Sequence, residues 1–353
     1  MIAELLERYG DGTVLAAGGL VIGLLFGLFA QRSRFCLRAA VIEFWHKRFG
    51  EKLSIWLLAF SSAVITVQLL AISGFLDTDS ARQISARGSI SGAVIGGLMF
   101  GVGMILTRGC ASRLLVLSAN GNLRALLSGL IFAVTAQAAL AGVLSPVRTE
   151  IASWWTIEGG PTRDLLAILG LGHWGGLALG AIWAVAALYA VWKTPKRSSW
   201  MWIGGIGTGL MVAAAWAFSQ LIAKNSFEPI QIQGLTFSGP SAEWLMRVLM
   251  LPTPAIGFEF GMLPGVFLGS LIGAVVGRDL KLEGFGTGYT MPRYIAGAIL
   301  MGFGAMLAGG CAVGTGVTGG AIFALTSWLS LAGMWAGAGL ADHFIDGVKT
   351  KAP

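Results

Sequence analysis

Three cysteines carry most of the chemistry that this sequence can offer. Cys36, Cys110 and Cys311 each follow a long apolar run, at a point where the chain breaks before a much shorter one. Gly109 and Gly310 immediately precede two of them, and Ser238 stands at the comparable break in the fourth such place. The pattern puts each side chain at the N-terminus of a short helix. Such a terminus has unpaired N–H groups and partial positive charge, and so favours an anion. One helix end contributes about 0.3–2 kcal/mol, whereas stripping an ion of water costs on the order of tens of kcal/mol in an apolar medium. A single end cannot offset that cost. Several converging ends can, if dehydration is stepwise. A neutral thiol adds a weak, soft donor and acceptor suited to another sulfur atom. Contacts of that strength let an ion leave again, as conduction requires. Against this stands the ordinary role of free cysteine as a small buried apolar residue.

Other chemistry finds less support. There is no CxxC pair, and His46, His173 and His343 are scattered, so neither a metal site nor a cofactor is expected. No Gly-Lys pair occurs, which excludes a Walker A loop and ATP hydrolysis by this chain. No Asp or Glu falls inside apolar runs one to four or six to eight, so a carboxylate proton relay is not expected.

The elements that must position these residues are membrane helices. Of 353 residues, 55% are hydrophobic and only 12% are charged, and the mean hydropathy is +0.76. So few charges cannot cover a soluble globule, which excludes an ordinary cytosolic enzyme, a disordered chain and a secreted disulfide scaffold. The net charge of +7 comes without a basic helix or Lys/Arg run. It therefore reads as the positive-inside bias of a membrane protein, and nucleic acid is not an expected partner. Lipid is.

Apolar runs at about 13–31, 53–76, 88–107, 122–145, 164–192, 200–223, 261–277, 293–308 and 327–345 predict nine spans. The segment before the first holds Glu4, Glu7 and Asp11 against Arg8, which argues for a span rather than a signal peptide. Four pieces at 37–46, 111–119, 240–250 and 312–325 are too short to cross and read as re-entrant half-helices, with an interfacial helix as the alternative, most openly for 37–46. The cations Arg32, Arg34, Arg38, Lys47, Arg48 and Lys52, then Lys193, Lys196 and Arg197, then Arg278, Lys281 and Arg293, then Lys349 and Lys351, all fall on one side if the N-terminus is outside and the C-terminus cytoplasmic.

Two parts of the chain can be laid over each other. Cys110 and Cys311 lie 201 residues apart, and the same offset carries Gly101, Gly103 and Gly109 onto Gly302, Gly304 and Gly310, and Cys36 onto Phe237 beside Ser238. The whole chain, 1–353, thus reads as a single transmembrane domain, with repeat one at about 13–145, a connector span at 164–192 and repeat two at about 200–345. An odd connector makes this an inverted-topology repeat, whose site is expected at the interface of the halves. The expected fold is an all-α integral membrane protein of nine transmembrane helices and four re-entrant half-helices.

The segments Gln31 to Cys36, Arg108 to Ser112 and Ala308 to Gly314 resemble the YeeE/YedE family of sulfur-compound permeases, nearly along the whole chain. That resemblance implies a multi-pass protein of the bacterial inner membrane that takes up thiosulfate or a related sulfur anion along a relay of thiols, here Cys36, Cys110 and Cys311. Cys110 would form the central constriction, Gly109 and Gly310 would shape the passage, and Ser238 would donate a hydroxyl where the repeat lacks a thiol. It also implies a small cytoplasmic sulfurtransferase of the TusA type as partner. The sequence departs from the family at Thr107 and Arg108, where small residues are usual, and Arg113 follows closely. Arg108 in the pathway would favour an anion; it would suit sulfite, a polythionate or a selenium species as well as thiosulfate, and membrane-end anchoring is the other reading of both arginines. Two further functions compete, a membrane sulfur-transfer or redox enzyme and a non-transporting sensor or docking subunit. The first lacks an evident catalytic base, and the short inner loops disfavour the second.

Overall fold

The computed structural model describes residues 2–195, 198–226, 228–249, 256–285 and 290–346. Lys196, Arg197, Lys349 and Lys351, four of the cations used for orientation, lie outside the described residues, as does the last residue of the 240–250 piece. The described chain is all-α apart from a two-residue antiparallel ladder of Gly88–Ser89 with Thr156–Ile157 and two isolated bridges, Asn122 with Glu283 and Asp164 with Ala324. Its helices are α1 (Ile2–Tyr9), α2 (Asp11–Ser33), α3 (Leu37–Trp45), α4 (Glu51–Ile72), α5 (Arg82–Ser85), α6 (Ile90–Leu106), α7 (Ala111–Ala119), α8 (Leu123–Ala141), α9 (Ser145–Ser153) and α10 (Leu165–Leu169). They continue with α11 (Gly172–Lys193), α12 (Ser199–Asn225), α13 (Ser238–Leu249), α14 (Phe258–Gly277), α15 (Met291–Leu307), a π-helical segment at Ala312–Gly319, and α16 (Leu325–Ala341). Among the described residues, eight helical stretches are long and apolar enough to cross a membrane, three of them running through a break at 34–36, 107–110 or 308–311. The protein is an all-α membrane protein. α16 has 17 residues.

Some boundaries differ from the apolar runs, for local reasons. The run 164–192 divides, because Asp164 caps α10 through Leu166 N–H (2.9 Å) and Gly170 then takes a left-handed turn. The run 261–277 starts early, since helix α14 begins at Phe258, and this brings Glu259 into its first turn. The expectation that this helix lacks a carboxylate is thereby corrected: hydropathy ends the run at the charge, but the backbone continues through it.

Helices meet through glycine. Along α2, Gly19, Gly23 and Gly27 lie against the backbone of Phe258, Met262 and Val266, while Gly261, Gly265 and Gly269 of α14 lie against Ala16, Leu20 and Leu24. Interdigitated small residues let the two backbones touch, which is how helices associate where burial of apolar surface gives no net drive. The other contacts follow a pattern. α2 packs on α14, and α12 on α4; α6 packs on α16, and α15 on α8. α6 meets α15 directly, as α2 meets α12. α3 touches α4 and α16, while α13 touches α14 and α8; α7 touches α8 and α14, while the π-helical segment touches α16 and α4. α11 stands outside this set, against α4.

Candidate functional site

Each cysteine occupies the cap position of a short helix. The helix before it ends at a left-handed residue two positions earlier, Arg34 (φ 56°), Arg108 (φ 58°) and Gly309 (φ 79°). The chain then straightens at Cys36, Cys110 and Cys311, which are extended. Their carbonyls accept the first helical hydrogen bonds, from Ala40 (3.2 Å), Leu114 (2.9 Å) and Thr315 (2.8 Å). Left-handed backbone is free for Gly309 but costs a side-chain-bearing residue roughly 1–2 kcal/mol. At Arg108 the break is reinforced. Thr107 Oγ1 donates across it to Gly109 O (2.8 Å), and Arg124 Nη1 donates to Thr107 O (2.7 Å).

All three thiols are free and buried. Cys36 and Cys110 are within electrostatic reach of each other, and Cys110 Sγ lies 3.5 Å from Ser112 Oγ. The Arg113 guanidinium is within electrostatic reach of both thiols, and its Nη1 is 3.5 Å from Oε1 of the buried Gln31. Arg108, in contrast, is exposed; its contribution is the backbone turn. The cation that reaches both thiols is therefore Arg113, and Arg38 is within electrostatic reach of Cys36 as well. Gln31 and Ser112 were not singled out in the sequence as site residues. Gln31 ends a long apolar run, where a polar residue reads as a boundary.

Cys311 lies in the other half. Its Sγ accepts from Gly314 N (3.5 Å), and all eight residues of the π-helical segment are buried. Gly310 has no room for a side chain, because an added Cβ would strike Thr315 Oγ1; Gly109 is less confined, with Leu114 Cδ2 at 3.3 Å. The fourth break differs in register. The cap carbonyl there belongs to Phe237, which accepts from Ser241 N (3.2 Å), and Ser238 is the first helical residue. Phe237 is the position that the repeat pairs with Cys36. The ring of the fully buried Phe26 links the two places, 6.5 Å from Phe35 and 5.4 Å from Phe237.

Ser238, Gly309, Gly314 and Thr315 line a cavity of about 690 Å³, which is also lined by Arg82, Arg87, Arg148 and Arg163. These arginines come from the connections α4–α6 and α8–α11. Arg163 is 7% exposed. It donates to Ala86 O and, through Nη2, to Thr326 Oγ1 (2.7 Å), while its buried Nε has no protein partner among the described residues. Burial, with Arg82 nearby, lowers its pKa, yet a guanidinium stays cationic. The cavity thus offers fixed positive charge above two helix N-termini. Helices α14 and α15, whose Glu259, Met306 and Leu307 also line the cavity, carry Arg278 and Arg293 at their opposite ends, where Arg34 lies 3.5 Å from Asp279.

The arrangement places buried soft donors between two cationic faces. It is suited to a small anion that can accept from a thiol. Residues 32–340 match the family described as Sulphur transport. The thiosulfate transporter TsuA of Spirochaeta thermophila is 28% identical over 331 residues, covering 88% of this chain and 93% of its own length. The thiosulfate transporter TsuA of Escherichia coli is 25% identical over 343 residues, covering 90% of this chain and 92% of its own.

Proposed function

The chain belongs to the sulphur-transport family, and from that premise we propose that it is a permease for thiosulfate, passed between Cys311, Cys110 and Cys36. One observation carries this reading. Three free, buried thiols each stand at the cap of a short helix, and two of them lie within electrostatic reach of each other. Thiosulfate is a dianion with a terminal sulfur. Arginines of the cavity draw it in, helix N-termini replace part of its hydration, and S–H groups donate to that sulfur in turn. Each contact is worth only about 0.5–1.5 kcal/mol net, which permits release. No covalent bond to the protein is needed. Membership of a transport family sets aside the sulfur-transfer enzyme.

The finer architecture is part of the same proposal: one transmembrane domain over 1–353, nine spans and four re-entrant half-helices, with repeats at about 13–145 and 200–345 about a connector at 164–192. Support for it comes from the contact pattern. Exchanging α2, α3, α4, α6, α7 and α8 for α12, α13, α14, α15, the π-helical segment and α16 maps that pattern onto itself. The proposed setting is the bacterial inner membrane, N-terminus outside and C-terminus cytoplasmic. Arg34, Arg38, Lys47, Arg48 and Lys52 then share the inner face with Lys193, Arg278 and Lys281, and a TusA-type sulfurtransferase would receive the anion there.

Sulfur-labelled thiosulfate is expected to enter proteoliposomes holding the purified protein, without ATP and above the level of empty liposomes. No uptake by folded protein would overturn the reading. A second expectation concerns attraction. Arg87 Nη2 donates to Thr156 Oγ1 (2.8 Å) and Arg148 Nε to Ala139 O (2.7 Å), so both cations are held in the cavity wall. The double substitution R87Q/R148Q is expected to raise the KM for uptake severalfold at low salt, with the difference shrinking as salt screens the field. A KM equal to that of the parent at low salt would show that these arginines do not attract the anion.

A further inference from the structure

The cavity that holds the arginines also contains two carboxyls that the thiol route does not use. Glu259 stands in the first turn of α14 and Glu243 on α13, and both line the cavity. They are within electrostatic reach of each other. Two carboxylates in one cavity wall repel each other when both are ionised, and a single shared proton removes that repulsion. Their positions are fixed from both sides. Trp244, next to Glu243, stacks on Phe260, next to Glu259, with ring centroids 4.8 Å apart, and its Nε1 donates to Phe260 O (3.0 Å). The Arg247 guanidinium lies over the same ring at 4.5 Å.

The charged surroundings are limited. Arg82, on α5, is within electrostatic reach of Glu259, and Arg247 belongs to α13 itself. On α2, the neighbouring carboxylate Asp11 accepts from Ser226 Oγ. The remaining cations of the helices packed on α13 and α14 sit at the far ends of those helices. Arg113 on α7 is beside Gln31. Arg124 on α8 binds Thr107 O, whereas α8 lines the cavity through Leu140. Arg293 on α15 is likewise distant from Met306 and Leu307, which line it.

We propose that Glu243 and Glu259 form a proton-binding pair, so that the cavity takes up its dianion together with a proton. The inference rests on the reading of the protein as a thiosulfate permease. Fully ionised, the pair sets two negative charges in the wall that the dianion must approach, opposing the arginines. With the shared proton, one charge is removed and the field of Arg82 and Arg163 prevails. Linkage makes the effect reciprocal, because an anion in the cavity raises the affinity of the pair for its proton.

The test is the pH dependence of KM for labelled thiosulfate, measured on the cavity side in proteoliposomes. For the parent, KM is expected to rise roughly tenfold between pH 6 and pH 8.5 as the shared proton is lost. In E243Q/E259Q the KM is expected to stay near the parent's acidic value throughout. E243Q alone, at the exposed member of the pair, removes the repulsion with one substitution and is expected to flatten the rise if the double variant fails to fold. A parent KM that is level across this range while uptake is measurable would overturn the proton pair alone, as would a variant that keeps the parent's slope. Absence of uptake at every pH would overturn the transport reading, and the proposal with it.

Discussion

Cys110→Ala is expected to lower thiosulfate uptake to about a tenth of the parent or less, at equal amounts of protein in the membrane. The thiol of Cys110 lies within electrostatic reach of Cys36 and 3.5 Å from Ser112 Oγ, so its loss removes a donor on the route beside the next thiol. One hydrogen bond is worth about 0.5–1.5 kcal/mol, and about 1.4 kcal/mol is a factor of ten. Because the anion at this point has little water to fall back on, the effect belongs at the upper end. Folding is expected to be spared. Alanine suits the extended cap conformation of Cys110, whose backbone and not its side chain accepts the first helical bond. Cys110→Ser, which restores a donor of harder character, is expected to fall between alanine and the parent. Uptake by Cys110→Ala equal to that of the parent would remove the central thiol from the route.

Gly265→Leu is expected to abolish folded protein. The glycine lies on the backbone of Leu20, where even a Cβ would strike the carbonyl, with the Leu20 carbonyl carbon and Cα at 3.0 Å. Backbone atoms in a helix cannot turn aside as a side chain does. α2 and α14 would have to separate, and the neighbouring contacts at Gly261 and Gly269, which abut Ala16 and Leu24, would open with them. Overpacking of a single core position costs about 1–3 kcal/mol; a wedge that opens a row of backbone contacts exceeds this. The contrast is Gly129 in α8, which has nothing near its missing side chain. Gly129→Ala is expected to leave the melting temperature in detergent unchanged or slightly raised. Size-exclusion profiles of the two variants in detergent separate the outcomes, and a monodisperse Gly265→Leu would contradict this account of the packing.

The sequence made the helices legible because membrane spans are encoded by composition, residue after residue. The breaks were legible too, since Gly109 next to Cys110 and Gly310 next to Cys311 interrupt apolar runs with a repeated signature. What could not be read was convergence. Arg82, Arg87, Arg148 and Arg163 come from two separate connections and meet in one cavity only once the helices are packed. Gln31 and Arg113 meet across α2 and α7, a contact without any local periodicity. The carboxyl pair escaped notice because a charged residue ends an apolar run in any hydropathy count, whereas helix α14 continues through Glu259. Arg108 attracted attention by its charge, but its part at the break is conformational. The π-helical geometry after Cys311 is likewise invisible in composition, although its run of small residues fits a segment buried on every side.

The central claim is that buried thiols select an anion by its sulfur. Initial uptake rates of thiosulfate and sulfate into the same proteoliposomes, at equal concentration and pH, test it most directly. The two dianions are both tetrahedral and differ at one atom, a terminal sulfur in place of an oxygen. Arginines and helix N-termini attract both; S–H donors at Cys311, Cys110 and Cys36 favour the softer acceptor. The expected result is uptake of thiosulfate at least about tenfold faster than sulfate, a preference of about 1.4 kcal/mol, and little competition by excess sulfate. Equal rates for the two anions would contradict selection by thiols and leave only charge and size to explain passage.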